Sequence, residues 1–535
     1  MHELHLVRVF RKRIEGLKNK AALRVQQDGQ WRDISWQALG RSIDYLAQAL
    51  IRLGHQPQQM VGICARNMPE WTMADLGILA ARGVVVPIYS TNTLDQTRYI
   101  LKDAGIRILF VGEQAQYDQA RQLLAEGALD HIICFEPSVD LQACPQAVHF
   151  ADLLQFGNHE PAAVALQQRV TEYRMDDLLT LIYTSGTTGE PKGVMLSHGN
   201  LYTNSILGVA EGTVRRGSIG LHAAPMFHLA DGAFMNALFA AGCCHVMLPR
   251  FDPVGVLQAI AAHGITDMLL VPTMIQMLVD HPDIHQYDLS SLQQMLYGAS
   301  PISEGLLDRA MKAIPHAGFI QAYGMTELSP VATILKPEMH REKGRAKGWH
   351  RSAGRATVCT EVRVVDPEGN ELPRGEVGEV VVRGPGVMLG YWNKPAETAA
   401  AIRNGWMHTG DGGRMDDEGY VFIVDRLKDM IVTGGENVYS VEVESVITTH
   451  PGVASCAVIG VPSEQWGETP VAYVVARAGA QPDAAELRAW LNERVGKTQR
   501  VADLRIAASL PRSEIGKVLK RALRDQYVQA PPAST

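Results

Sequence analysis

The residues Tyr183 to Gly193, YTSGTTGEPKG, gather hydroxyls, small flexible residues and one lysine into a single short stretch. Such a stretch can hold phosphates. Glycines let backbone N–H groups close on an anion, serine and threonine add hydroxyl donors, and Lys192 adds a full charge. The Walker A pattern does not fit, because Gly186 is followed at the corresponding places by Pro191, Lys192 and Gly193. A plain Gly/Ser/Thr linker is the competing reading, but this stretch follows the apolar run LLTLIY directly and leads into VMLSHGN. Four later clusters also carry groups that can do chemistry: QAYGMTE (Gln321 to Glu327), HTGD (His408 to Asp411), DRLKD (Asp425 to Asp429) and PRSEIGK (Pro511 to Lys517). Glu327 is a hard carboxylate suited to a hard cation, and Asp411 is an acceptor-only group suited to hydroxyls. Taken singly each has an ordinary explanation. A glutamate at a strand end is usually a solvated charge, Gly-Asp is common in turns, an arginine beside Asp425 and Asp429 can be a surface ion pair, and most lysines are solvated.

The chain that must position these groups has 535 residues, more than one hydrophobic core usually serves, so two or more domains are expected. A hydrophobic content of 46% with 20% charged residues is that of an ordinary globular protein. The net charge of −7 argues against nucleic acid as the main partner, since phosphate backbones select basic faces. The start of the chain, MHELHLVRVFRKRIEGLKNK, is too polar for a secretory signal and reads as an amphipathic helix, which places the protein in the cytoplasm. Apolar stretches are interrupted by Arg82, Asp231 or His263, so a membrane-spanning segment is not expected. The seven cysteines are scattered, which suggests neither a disulfide framework nor a CxxC metal site; they are expected to be reduced and buried.

Helical patterns alternate with short β-branched runs through the first half. Glu70 to Arg82 reads as a helix, Gly83 to Tyr89 as a buried strand, and DQTRYILKDAG as a helix before the strand IRILFVG. A second alternating block, with the helix PVGVLQAIAAHG and the strand TDMLLVP, follows the glycine-rich loop. This α/β alternation predicts a large N-terminal domain of doubly wound, mostly parallel sheets. From about Val362, EVRVVDPEGNELPRGEVGEVVVRG predicts a small antiparallel β unit around an acidic glycine turn. After Ser440 the pattern resets to a small α+β unit: the helix VEVESVITTH, the strands VASCAVIGV and TPVAYVVAR, and a helix capped by Asp483 with Leu487, Trp490, Leu491 and Val495 on one face. The expected organisation is residues 1–424, a hinge at 425–429, and a mobile C-terminal domain at 430–535, with the tail APPAST disordered.

The five motifs occur in the order and rough spacing of the ANL adenylate-forming enzymes, and the chain resembles the acyl-CoA synthetases, the fatty-acid or aryl-acid CoA ligases, over nearly its whole length. The resemblance implies two half-reactions. A carboxylate attacks the α-phosphate of Mg-ATP, giving an acyl-adenylate and pyrophosphate; the thiol of coenzyme A then displaces AMP. It also implies residue roles. Thr184, Ser185, Gly186, Thr187, Thr188, Gly189 and Lys192 would hold the β and γ phosphates. Glu327 would be the Mg²⁺ ligand, and Thr326 would touch the α-phosphate. Tyr323, within Gln321, Ala322, Gly324 and Met325, would stack on the adenine opposite Gly298, Ala299, Ser300 and Pro301. Asp411 would accept from both ribose hydroxyls, and Arg426 would reach the ribose. Lys428 would be the pivot. In one orientation Lys517 would point at the carboxylate and α-phosphate; in the other, Gly434, Gly435 and Glu436 would enter the site, with Gly435 flanking the CoA tunnel.

For the acyl group, the resemblance points to Phe227, His228, Asp231, Val271, Ala299 and Ala322 as pocket lining, although His228 can equally be a packed core histidine. Gly232 stands where some long-chain relatives have a gating tryptophan, and Ala322 where many have glycine, departures that count against a strictly long-chain acid. The N-terminal portion resembles larger bacterial long-chain fatty-acid ligases, while the stretch from HTGD to EVE resembles shorter fatty-acid and feruloyl or coumaroyl ligases, as a natural or recombined mosaic would. Two other classes compare. An adenylation domain delivering to a carrier protein would share the loop and Lys517, and a non-catalytic sensor of this fold would be expected to lack Lys517, Glu327 or Asp411, all of which are present. Homodimer formation and peripheral association with a membrane surface stay open at this point.

Overall fold

Continuous apolar runs bounded by helices demand strands buried on both faces. A computed structural model describes residues 5–27, 29–184, 190–434, 436–463, 465–513 and 516–529. In it Met60–Cys64, Val84–Pro87 and Ile108–Val111 are strands buried along their whole length. The helix expected from Glu70 begins at Pro69, whose fixed φ suits a first turn, and ends at Ala80. The helix Leu94–Ala104 is closed by reciprocal capping between Thr93 and Gln96 and by the left-handed Gly105. The amphipathic start of the chain forms the helix Leu6–Leu17.

The large N-terminal domain contains two mostly parallel sheets. An eight-stranded sheet runs in the order Gly390–Tyr391, Lys192–Ser197, Leu178–Thr184, Val84–Pro87, Met60–Cys64, Ile108–Val111, His131–Cys134, Ala147–His149. A nine-stranded sheet includes, as neighbours, Thr333–Leu335, Gly318–Tyr323, Gln294–Gly298, Asp267–Leu270, Ile219–His222 and Cys244–Met247. Each sheet has antiparallel edges that the βα pattern does not announce. Leu178–Thr184 and Lys192–Ser197 pair antiparallel, with Tyr183 opposite Gly193 and Thr184 opposite Lys192, so the two flanks of the glycine-rich stretch run side by side. Residues 185–189 lie outside the described residues.

The third sheet is the small antiparallel unit. Glu361–Val365 pairs with Gly378–Arg383, which pairs with Trp406–Met415, and Val421–Arg426 adds to the last of these. The smaller C-terminal domain has its own sheet and core, in which Val453–Ser463 pairs with Gly467–Ala476. The helix Ser440–Ile447 packs on it, and Ile431, Val443, Ile447, Leu487 and Leu491 are among its buried residues. Asp483 caps the helix Ala484–Asn492 by accepting from the backbone N–H groups of Ala485 and Glu486. Among the described residues no helix is long and apolar enough to cross a membrane. All seven cysteines are free, but not all are buried: Cys64, Cys134 and Cys243 are, whereas Cys359 is exposed.

Candidate active site

Two neighbouring parallel strands of the nine-stranded sheet end together, Gln294–Gly298 and Gly318–Tyr323, with Gly298 in register with Ala322. Ligands of open α/β sheets bind at such carboxyl ends. The close approach requires glycine, because a Cβ on Gly298 would lie 2.2 Å from the Ala322 carbonyl oxygen. Ala299 then adopts a left-handed φ of 64°, a conformation costly for a residue with a Cβ, and turns the chain into Ser300 and the exposed Pro301. Gly324 is equally constrained, its absent Cβ standing 1.9 Å from the Pro330 carbonyl oxygen. The structure therefore sets the GASP turn beside QAYG.

From the end of its strand Tyr323 donates its hydroxyl hydrogen to Asp411 Oδ2 at 2.9 Å. Burial pushes the Tyr323 phenol well above its ordinary pKa, so it stays a donor. Asp411 is 7% exposed and lies opposite Arg426 on the neighbouring strand, with Arg426 Nε 3.2 Å from its Oδ1. The turn before it is held by Thr409, whose hydroxyl donates to the Val380 carbonyl at 2.7 Å and accepts from the Asp411 N–H at 3.1 Å. HTGD and DRLKD, separate in sequence, are thus one ladder.

Glu327 lies in the single 3₁₀ turn Thr326–Leu328 after that strand and is 6% exposed. Its Oε1 accepts from the Tyr391 hydroxyl at 2.8 Å. Burial raises its pKa, against the pull of the Tyr391 hydrogen bond and the positive charges of Arg426 and Lys192. Lys192 Nζ stands 5.2 Å from the Tyr391 ring centroid. Tyr391 escaped the sequence reading. Its strand is only Gly390–Tyr391, and the one available signal was the GYWN run beyond the third sheet's first hairpin.

The C-terminal domain reaches the same place. The PRSEIGK loop is closed by the Ser513 N–H donating to the Lys517 carbonyl at 2.8 Å. Gly516 has a φ of 75°, and a Cβ there would lie 2.5 Å from Thr273 Oγ1 and 3.6 Å from Val271. The loop therefore rests on Val271–Thr273 of the N-terminal domain. Burial, with Arg426 acting in the same direction, lowers the Lys517 pKa to about 8, while Asp411 and Asp429 oppose the fall. Lys517, Asp411 and Arg426 consequently share one electrostatic environment. Lys428 is exposed in a turn closed by the Asp429 and Met430 N–H groups, both donating to the Arg426 carbonyl. Asp425 accepts from the N–H and hydroxyl of Ser440, at 2.7 and 2.6 Å, and Arg524 pairs with Asp429 at 2.9 Å. Gly434, with its N–H on the Trp466 carbonyl, and Glu436 lie on the hairpin Ile431–Val438 of the small sheet. Ser185, Gly186, Thr187, Thr188, Gly189 and Gly435 lie outside the described residues.

On the expected acyl side, Phe227 is buried with its ring 4.7 Å from that of Tyr89. His228 caps the helix Leu229–Ala241, accepting from the Ala230 N–H at 3.2 Å, and burial lowers its pKa to about 4, so it is neutral. Asp231 does not join them. Its Oδ2 is 2.7 Å from His222 Nδ1, and His222 Nε2 is 2.9 Å from His245 Nδ1, a buried polar chain between two strands and a helix. The resemblance pointed to Asp231 as pocket lining; on the helix Leu229–Ala241 its carboxylate meets His222 of the neighbouring strand.

Residues 10–392 match the AMP-binding enzyme family, and residues 442–517 match the AMP-binding enzyme C-terminal domain. The chain belongs to this family. A feruloyl-CoA synthase of Amycolatopsis sp is 35% identical over 92% of this chain and 94% of its own length. A medium/long-chain-fatty-acid–CoA ligase of Mycobacterium tuberculosis is 36% identical over 91% and 85%. The crystal structure of ATP-bound MatB from Rhodopseudomonas palustris superimposes with a TM-score of 0.84 at 29% identity, covering 98% of this chain and 99% of that one. The chain is an ANL adenylate-forming enzyme of the acid–thiol ligase class, a family that ATP, a carboxylic acid and coenzyme A fit as small-molecule substrates.

Proposed function

We propose that this ligase activates a monocarboxylic acid with an apolar tail, a fatty acid in the first place, and passes the acyl group to coenzyme A. The observation that carries this reading is the Lys517 loop seated on Val271–Thr273, with Lys517 in the field of Asp411 and Arg426. In the first half-reaction a carboxylate oxygen attacks the α-phosphorus and pyrophosphate leaves. Two anions must meet, so the barrier is lowered by fixed positive charge aimed at them, which Lys517 supplies. Asp411 accepts from the ribose hydroxyls, Arg426 steadies that carboxylate, and Tyr323 presents its ring to the adenine across from Gly298–Pro301. The glycine-rich stretch from Thr184 to Lys192 grips the departing pyrophosphate, and Thr326 touches the α-phosphate.

Glu327 fits a Mg²⁺ site: it is a buried carboxylate whose ionised form a hard cation would favour, among positive side chains that suit phosphate oxygens. Bound there with the nucleotide, Mg²⁺ would neutralise phosphate charge. Residues 1–424 serve as the nucleotide and acyl domain, 425–429 as the hinge with Lys428 at its pivot, and 430–535 as the mobile domain. In the second half-reaction the CoA sulfur attacks the acyl carbon, AMP leaves, and the hairpin bearing Gly434, Gly435 and Glu436 replaces the Lys517 loop.

The residues read as lining support this substrate class. Phe227, neutral His228, Val271, Ala299 and Ala322 bring no charge, and the Asp231 carboxylate is turned onto His222. A second carboxylate on the substrate would be desolvated without a partner, a cost that selects against it strongly. An aryl acid is the second reading, favoured by the methyl of Ala322, which shortens the pocket floor. The test compares octanoate with octanedioate and cinnamate. The monoacids should exceed the diacid in kcat/KM by more than about a hundredfold, on the scale seen when a site must leave a buried polar group unpaired. Equal use of the diacid would overturn the apolar-tail reading.

A further inference from the structure

The segment Ala224–His228 enters the site from the strand Ile219–His222 of the nine-stranded sheet and passes into the helix Leu229–Ala241. Its exit is fixed. The His228 N–H donates to the Pro225 carbonyl at 3.1 Å, and His228 caps the following helix. Its entrance is fixed by a residue from the other sheet. Asn67, in the connection between the strand Met60–Cys64 and the helix Pro69–Ala80, donates its amide hydrogen to the Ala224 carbonyl at 2.8 Å and accepts from the Met226 N–H at 2.8 Å. Only one orientation of the amide satisfies both bonds, and Asn67 is 3% exposed.

These two bonds imitate the pairing of a neighbouring strand. They hold the carbonyl and N–H on either side of Pro225, whose ring already fixes its own φ. The direction in which Met226 leaves this bracket sets where the Phe227 ring arrives against Tyr89. Without Asn67 both backbone groups would be buried without these partners, and the segment would be free to turn about Pro225.

We infer that Asn67 is a specificity-determining positioning residue: by clamping Ala224 and Met226 it sets the depth of the acyl pocket, from a different sheet and without touching the acid. This rests on the reading that Phe227 and His228 line that pocket. A substrate chain is sensed by how far its end reaches, and pockets discriminate by about ten- to two-hundredfold per methylene only when their walls are held in place. A wall displaced by about 1 Å loses much of that discrimination.

The experiment measures the acid-chain-length profile in full-length wild-type, Asn67→Ala, Asn67→Asp and Phe227→Ala enzymes, by acid-dependent ATP–pyrophosphate exchange. Asn67→Asp keeps the size and the acceptor for Met226, so it serves if the alanine variant folds poorly. In both Asn67 variants the kcat/KM ratio between the preferred acid and the acid two carbons longer should fall about tenfold, less in the aspartate. KM for the acid should rise while KM for ATP moves less than about twofold, a split that general loosening of the fold would not give. A changed profile in Phe227→Ala with an unchanged one in the Asn67 variants overturns the role of Asn67 and leaves the pocket reading standing. Unchanged profiles in all three overturn both, and equal rises in KM for acid and ATP reduce Asn67 to a structural residue.

Discussion

In the role proposed for Lys517, its lowered pKa should make the adenylation step fall with rising pH in a range where most lysine-dependent steps are flat. With a pKa of about 8 in the free enzyme, the ammonium is about nine-tenths charged at pH 7 and about one-tenth charged at pH 9. The sign follows from the role: Lys517 acts as a cation, so activity is present below its pKa and is lost as pH rises through it. The kcat/KM for the acid in ATP–pyrophosphate exchange reports the free enzyme and should drop about tenfold between pH 7 and pH 9. Under saturating ATP the phosphates favour the ammonium, so the limb in kcat should move to higher pH. Lys517→Arg, with a group that stays charged, should remove the limb at some cost in rate. Lys517→Ala should lower exchange by about 10²- to 10³-fold, as removal of one preorganised donor does. In that variant thioester formation from supplied acyl-adenylate should persist without the limb. A wild-type profile flat from pH 7 to 9.5, or a limb that survives in Lys517→Arg, would refute the reasoning.

Two further outcomes follow from the same geometry. Asp411→Asn removes a negative charge that opposes the fall in the Lys517 pKa, so the alkaline limb should shift to lower pH while KM for ATP rises about tenfold; the pH profile of exchange checks both. Gly298→Ala forces a Cβ against the Ala322 carbonyl, so two strands must part at the proposed nucleotide site; about 1–3 kcal/mol of stability should be lost by urea unfolding, together with ATP affinity.

The five motifs were legible because adenylation chemistry leaves little choice of residue type, and their order along the chain carried the family resemblance. The βα alternation was legible for the physical reason that strands covered on both faces are continuously apolar, as Met60–Cys64 and Val84–Pro87 are. What escaped was written in pairings rather than runs. Tyr391 sits on a strand of the eight-stranded sheet too short to show a period, yet it hydrogen-bonds Glu327, which follows a strand of the nine-stranded sheet. Asn67 grips Ala224 and Met226 from the other sheet, and no local pattern announces a bond between such distant residues. Asp231, which the resemblance pointed to as lining, lies one helical turn beyond His228 and bonds His222, a pairing that no local pattern announces. The hairpin edge that carries the phosphate-type loop was hidden because its strands read like the parallel ones beside them.

The central claim is that one chain couples an acid to AMP before coenzyme A takes part. Acid-dependent exchange of labelled pyrophosphate into ATP, run without coenzyme A over acids from acetate through palmitate to ferulate, tests it most directly. The account predicts exchange for at least one apolar acid in the absence of coenzyme A, and, when coenzyme A is added, thioester and AMP in equal amounts. Formation of ADP and phosphate, or exchange that appears only with coenzyme A present, would contradict it.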